Sequence, residues 1–139
     1  MKAAIKDRIQ SRVPFLGICV GLQWLFEGST ESSETRGLGV FSGCCERFGQ
    51  ELKVPHVGWN SLEVRDSRLM DGIPNGAFVY YTHSFRAPVV NGTVAVTEYG
   101  IPFTAAVERD NVMGVQFHPE KSGAVGLRIL GNFVGLEKC

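Results

Sequence analysis

Paired cysteines at ligand or disulfide spacing are missing from this sequence. The four thiols sit at positions 19, 44, 45 and 139, with no C-x-x-C pair among them. That layout excludes both a zinc site and the disulfide framework of a small secreted scaffold. An excess of either charge is missing too: 14 basic residues balance 14 acidic ones, and no Lys/Arg cluster stands out. Phosphate-backbone binding needs such a footprint, so no nucleic-acid partner is expected. No apolar run approaches a membrane span, and Met1 to Arg12 is charged and amphipathic without the apolar middle of a signal peptide. No membrane partner and a cytoplasmic location are therefore expected. Internal repeats, linkers and low-complexity tracts are also lacking.

What is present is a core-forming composition. With 139 residues, 44% of them hydrophobic and 20% charged, the chain reads as one globular domain over 1–139. Ile5 and Ile9 lie four apart in a polar segment that fits the end of an amphipathic helix, which Pro14 bars from continuing. Val13 to Ile18 reads as a strand, and Val20 to Phe26 as a helix with Leu22, Leu25 and Phe26 on one face and Gly28 as its stop. Thr30 to Arg36 reads as a loop. Short strands are expected at Leu38 to Phe41, Cys44 to Phe48 and Leu52 to Val64, the last broken near Gly58. Further strands fit Ala77 to Thr82, Val94 to Thr97, Phe103 to Glu108 and Val112 to Phe117, and a helix fits Ala124 to Val134. The fold class is α/β.

Cys19 differs in setting from the other thiols, because it follows an apolar strand and opens a helix. A tight turn there can project sulfur into a cleft, and a helix N-terminus favours thiolate. In Gly17-Ile18-Cys19-Val20-Gly21, glycines two before and two after permit a sharp strand-to-helix turn like the nucleophile elbow of serine hydrolases. Gly21 is read as removing a side chain that would collide. Taken alone, Cys19 would be one more small buried residue, so a base elsewhere must support the nucleophile. His118-Pro119-Glu120 follows the strand ending at Phe117, at the edge where open α/β sheets build their sites. Pro119 disfavours a helical His118, and Glu120 can lie on the same side to orient the imidazole. His56 and His83 are rival bases, each equally a packing or binding residue, and spacing leaves all three open.

Two segments, Gly17-Ile18-Cys19-Val20-Gly21-Leu22-Gln23 and Gly114-Val115-Gln116-Phe117-His118-Pro119-Glu120, resemble the two signature motifs of class I glutamine amidotransferases, in that family's order. Lys53-Val54-Pro55-His56-Val57-Gly58-Trp59-Asn60, Tyr80-Tyr81-Thr82-His83-Ser84-Phe85 and Lys121-Ser122 resemble the glutaminase subunit of imidazole glycerol phosphate synthase. The similarity runs from Val13 to Phe133. It implies a flavodoxin-like open mixed sheet flanked by helices and the hydrolysis of glutamine to glutamate and ammonia. No cofactor or metal is implied, and the ammonia passes to a cyclase subunit for imidazole ring formation in histidine biosynthesis. By the same resemblance Cys19 is the nucleophile, His118 the proton shuttle and Glu120 its orienting acid. Gly21, Gln23, Ser84 and Phe85 hold the glutamine, and Trp59, Asn60, Tyr80 and Lys121 face the cyclase in a heterodimer.

The resemblance also expects strand and helix units ahead of Met1, including a glycine-rich loop that contributes oxyanion donors. On that reading the chain is an amino-terminally truncated member, and loss of such donors would cost roughly a few kcal/mol of transition-state stabilisation. An uncovered sheet edge is expected with it. Phe85 stands where the family often has tyrosine. Three other readings are a glutaminase of another synthase, such as those of anthranilate or pyridoxal phosphate formation, an impaired scaffold that only docks on the cyclase, and a cysteine peptidase or chaperone-like relative. Gln23 and the His118-Pro119-Glu120 triplet argue against the last.

Overall fold

Apolar side chains alternate along the strands of a central sheet and so build two cores, one on each face. In the computed structural model, which describes residues 2–136, the strand Val112–Val115 (β11) sends Met113 and Val115 into one cluster and Val112 into the other. The larger cluster includes Leu69, Tyr81, Phe103, Phe117 and Ile129, and the smaller one Leu22, Leu25, Phe26 and Phe41. Helix α3 (Gly123–Gly135) covers the first face through Ile129, Val125 and Phe133. Helix α2 (Val20–Trp24), with Leu25 and Phe26 just beyond it, covers the second.

The chain opens with α1 (Lys2–Gln10) and β1 (Phe15–Ile18), and α2 comes after them. Next are β2 (Gly28–Ser29), β3 (Ser32–Arg36), β4 (Cys44–Arg47), β5 (His56–Ser61), β6 (Glu63–Val64), β7 (Phe78–His83) and β8 (Phe85–Arg86). Strands β9 (Thr93–Glu98), β10 (Pro102–Arg109) and β11 lead to a 3-10 turn at Pro119–Lys121 and then to α3. The main sheet runs β1-β11-β10-β9-β6. Only β1 and β11 pair in parallel there, and the other neighbours are antiparallel. A second sheet runs β3-β2-β4-β8, and β5 pairs with β7. This is the expected mixed α/β sheet between helices, with β1 at its edge among the described residues. No helix among them is long and apolar enough to cross a membrane.

Three local expectations are corrected. The polar run at Thr30 to Arg36 contains β3, which folds back on β2 with Gly28 opposite Arg36; a polar surface hairpin carries no apolar period to read. Leu38 to Phe41 is not a strand. Its N–H groups bond instead to the last carbonyls of the α2 segment: Leu38 to Trp24, Gly39 to Phe26 and Phe41 to Leu25. Orphan carbonyls at a helix end need such partners. Gly58 does not break β5, but stays paired with Tyr81 at a φ of 128°, a conformation that glycine adopts without strain.

Helix α3 approaches the turn after His118 so closely that a Cβ at Gly126 would lie 1.9 Å from the Pro119 carbonyl oxygen. Gly131, on the same helix, has open space around it. Gly126→Ala is therefore expected to destabilise by roughly 2–4 kcal/mol through a backbone clash. Gly131→Ala should stabilise by up to about 1 kcal/mol. Thermal melts of the two variants, run side by side, check this pair of opposite signs.

Candidate active site

Parallel pairing of Phe15 through Ile18 with Val112 through Val115 brings two chain segments to one end of the sheet. Cys19 comes directly after, its N–H bonded to the Val115 carbonyl at 2.8 Å, and His118 lies three residues beyond Val115. Cys19 holds φ 57° and ψ −105°, a strained backbone for a residue with a side chain. The turn closes against Gly17, where a Cβ would lie 2.5 Å from the Gly21 carbonyl group and 2.9 Å from the Leu22 nitrogen. Gly21 itself has nothing within 4 Å of its absent Cβ. The expected collision at Gly21 is thus corrected: the crowding that requires glycine is at Gly17.

Strand β7 gathers both segments. Its even-numbered residues turn their backbone groups away from β5, so the Tyr80 carbonyl accepts from the His118 N–H at 2.9 Å. The Thr82 carbonyl accepts from the Cys19 thiol at 3.8 Å. These carbonyls lie two residues apart on one strand edge, roughly 7 Å along it. Ser122, 2% exposed, locks the arrangement: its hydroxyl accepts from the Tyr80 N–H at 2.9 Å and donates to the His118 carbonyl at 2.7 Å. His118 Nδ1 lies 3.0 Å from Glu120 Oε2. A neutral imidazole that donates from Nδ1 keeps Nε2 as an acceptor, the tautomer a general base requires.

The thiol is not bonded to His118 here. Its partners are the Thr82 carbonyl and the Gln116 amide, whose Nε2 lies 3.6 Å from the sulfur. Burial pushes the Cys19 thiol above its ordinary value. The Val20 backbone N–H and the Gln116 amide pull it down, and the Glu120 charge pushes it up. The helix start does favour thiolate, as expected, through the Val20 N–H, but desolvation outweighs it. For Glu120 burial acts upward, but its own backbone N–H, His118 and Lys121 outweigh it and hold the carboxyl below its ordinary value.

Gln23 points to the site, but its amide nitrogen is committed to the Phe85 carbonyl and to Gln116 Oε1, each at 3.1 Å. The Ser84 carbonyl accepts from the Phe48 N–H, and the Phe85 carbonyl from His83 as well as Gln23. Those two carbonyls are therefore taken by the chain itself. Beside α2 a cleft of about 190 Å³ is lined by Val20, Gln23, Trp24 and the opposite charges of Glu31 and Arg36. Sequence reasoning missed Glu31 and Arg36, which sit in a run read as loop, and gave Gln116 no role although it stands within the second motif.

The rival histidines pair with each other. His56 Nδ1 and His83 Nε2 are 3.0 Å apart, and both rings are buried, with His56 stacked between Tyr81 and Tyr99. Trp59, Tyr80 and Lys121 do assemble: the Trp59 and Tyr80 rings meet edge to face at 5.9 Å, and the Lys121 ammonium lies 6.0 Å over the Tyr80 ring. Asn60 faces away from that trio, its amide bonded to the Glu98 carbonyl, the Ser61 N–H and His56. Cys45 is buried, its thiol pushed up to about 12 first by burial and then by Cys44; Cys44 is exposed, and nothing in the structure explains this pair. Cys139 lies outside the described residues.

Burial also lowers both His56 and His83 to about 4; for His83 the Phe85 carbonyl acts upward and the charges of His56 and His118 downward. An unfolded histidine titrates near 6.5, so between about pH 6.5 and 4 the unfolded chain binds more protons. Stability is then full above about pH 6.5 and falls as pH drops toward 4, by on the order of a few kcal/mol for the pair. Melting temperatures should decline already between pH 6.5 and 5, above the range where most carboxylates titrate. A level profile there would contradict a buried neutral pair.

The family model described as "Glutamine amidotransferase class-I" matches residues 1–135. Imidazole glycerol phosphate synthase subunit HisH of Caldanaerobacter subterraneus subsp. tengcongensis is 48% identical over 145 residues, covering 100% of this chain and 70% of that protein. The subunit HisH of Thermococcus kodakarensis is 51% identical over 140 residues, covering 96% and 71%. Among solved structures, PurLQS from Thermotoga maritima superposes with a TM-score of 0.72 at 17% identity, covering 96% of this chain and 66% of that one. The glutaminase domain of Trypanosoma brucei CTPS, with bound acivicin, gives 0.63 at 16%, covering 96% and 65%. These two likenesses concern the fold alone. On the family match and the relatives' identity, the chain belongs to the class I glutamine amidotransferases, in the family of imidazole glycerol phosphate synthase subunit HisH.

Proposed function

We propose that this chain is the glutaminase subunit of an imidazole glycerol phosphate synthase, hydrolysing glutamine at Cys19 and delivering ammonia to a cyclase subunit. The observation that carries the reading is the shared edge of β7, which holds the Cys19 thiol and the His118 backbone two residues apart with Glu120 on the imidazole. The resting thiol is protonated, so the reaction begins when His118 Nε2 takes that proton and Sγ attacks the carboxamide carbon. The imidazolium returns the proton to the leaving nitrogen, and ammonia departs from a glutamyl thioester. Water, deprotonated by the same imidazole, then releases glutamate and the thiol.

The cleft beside α2 supplies charges for the rest of the substrate. Glu31 suits the α-ammonium of an amino acid and Arg36 its carboxylate. The Gln23 side-chain oxygen Oε1 has no protein partner among the described residues and can accept from the substrate. Gly21 leaves room above the turn, and Ser84 and Phe85 keep the glutamine-holding role that the family resemblance gives them. Trp59 at 57% exposure, with Tyr80 and Lys121, forms an aromatic and cationic face suited to the cyclase. Asn60 would serve that face by holding β5 from behind. The location that fits this role is the cytoplasm.

Incubation with a diazo-ketone analogue of glutamine, followed by mapping of modified cysteines by mass spectrometry, tests the reading. Selective modification of Cys19, strengthened by a cyclase partner and abolished in Cys19→Ala, is expected. Trp59→Ala should leave labelling of the isolated chain unchanged and weaken cyclase binding at least ten-fold. Cyclase binding without any labelling would mean a docking scaffold instead, and labelling with affinity for a different synthase would mean a glutaminase of another pathway.

A further inference from the structure

The buried histidine pair and the nucleophile belong to one hydrogen-bonded chain, and its direction is fixed at both ends by the backbone. Asn60 Nδ2 must be the amide nitrogen, because it lies 3.0 Å from the Glu98 carbonyl while Oδ1 accepts from the Ser61 N–H at 2.8 Å. The same nitrogen is 3.4 Å from His56 Nε2, which must therefore accept. A neutral His56 then carries its proton on Nδ1 and donates it to His83 Nε2 at 3.0 Å. His83 in turn donates from Nδ1 to the Phe85 carbonyl at 2.8 Å. Each tautomer is set by its neighbour, and no ring nitrogen faces a group of the same kind.

The Phe85 carbonyl is the junction, since Gln23 Nε2 also donates to it. An atom facing a carbonyl oxygen must be the nitrogen, so the Gln23 amide cannot be reversed. It donates again to Gln116 Oε1, which leaves Gln116 Nε2 to face the sulfur. Gln116 is fully buried. With its amide turned over, an oxygen would oppose both the sulfur's lone pairs and the Cys19 thiolate.

We propose that Gln116 is a catalytic residue that donates an N–H to the Cys19 sulfur, and that His83 and His56 are positioning residues holding its amide in that orientation through the Phe85 carbonyl and Gln23. The proposal rests on the reading of Cys19 as the nucleophile. The groups facing the sulfur are the Val20 N–H, the Thr82 carbonyl, the Gln116 amide and, as a charge, Glu120. Of these, Gln116 is the one side-chain donor. Substrate need not be bound for it to act, which makes its effect measurable without turnover.

The test is the pH midpoint of Cys19 alkylation by iodoacetamide, followed site by site by mass spectrometry on the full chain, with exposed Cys44 as internal reference. Gln116→Met keeps the volume and removes the donor. It should raise the midpoint by about one pH unit, so that labelling near neutrality falls roughly ten-fold. Gln116→Glu should raise it at least as far. His83→Leu should move the midpoint in the same direction, and His83→Asn, whose amide can occupy the place of Nδ1, should restore it. Cooperative melts establish which variants are folded, and the two substitutions at each position give two chances of a folded reading. Should neither Gln116 variant fold, Gln23→Met cuts the same chain one link earlier and carries the same expectation.

An unchanged midpoint in a folded Gln116 variant overturns the catalytic role. Equal shifts in His83→Leu and His83→Asn overturn the positioning role, because packing rather than the donor would then be responsible. The failure of the underlying reading looks different. It would appear in the unsubstituted chain, as a Cys19 that never reacts as the pH rises while Cys44 does.

Discussion

Four residues of parallel pairing between β1 and β11 are the constraint on which the rest of the site depends. Parallel strands point their C-terminal ends the same way, so the residues that leave each of them are delivered to one edge. β1 gives way to a cysteine on a strained turn, and three residues past β11 stands a histidine held extended by the next proline. Neither could be placed by local structure alone, since Cys19 and His118 lie far apart in sequence. The Cys19 N–H bonded to the Val115 carbonyl extends the ladder by one step beyond Ile18 and so fixes where the turn begins. Glycine at position 17 is what lets the chain reverse there.

A second strand converts that juxtaposition into a site. β7 is bonded to β5 on one edge and to the Cys19 and His118 segments on the other, so one extended chain fixes the positions of both. Ser122 closes the arrangement: its buried hydroxyl satisfies the Tyr80 N–H and also donates to the His118 carbonyl, which accepts from the Lys121 N–H as well. Buried backbone groups without partners are costly, on the order of 1–3 kcal/mol each. The same bonds that prevent that cost hold the imidazole in place. The β5–β7 pair also carries Trp59 and Tyr80, so the surface proposed to meet a partner and the edge that holds the proposed nucleophile belong to one ribbon.

Much of this was legible in the sequence, and the rest was hidden for definable physical causes. Strand, turn and helix around Cys19 could be read from an apolar run, flanking glycines and the period of Leu22, Leu25 and Phe26. The second segment could be read from Val112 to Phe117 ending at His118-Pro119-Glu120. Hidden from view were relations set by long-range contacts. Gly17 and Gly21 look equivalent in the motif, yet only the position facing the following backbone is crowded. β3 escaped because a hairpin of polar residues has no apolar period, and Leu38 to Phe41 was misread because an apolar run that caps a helix resembles a strand. Three histidines were indistinguishable by spacing; burial separates them, leaving two as a neutral pair and one against a carboxylate at the surface.

Burial of the thiol sets the order in which charge develops. A thiolate formed in the resting state would sit in a partly desolvated site near Glu120, and both effects oppose it. The compensating donors, the Val20 N–H and the Gln116 amide, are neutral dipoles that reduce this cost without removing it. In the proposed reaction the proton therefore stays on sulfur until His118 accepts it, and Glu120, held below its ordinary value, is already charged to receive the imidazolium. Keeping the thiol protonated between turnovers has a further consequence. Nucleophilic and oxidative side reactions of cysteine proceed through the thiolate, so the same desolvation that would delay the proposed attack also protects the Cys19 sulfur from them.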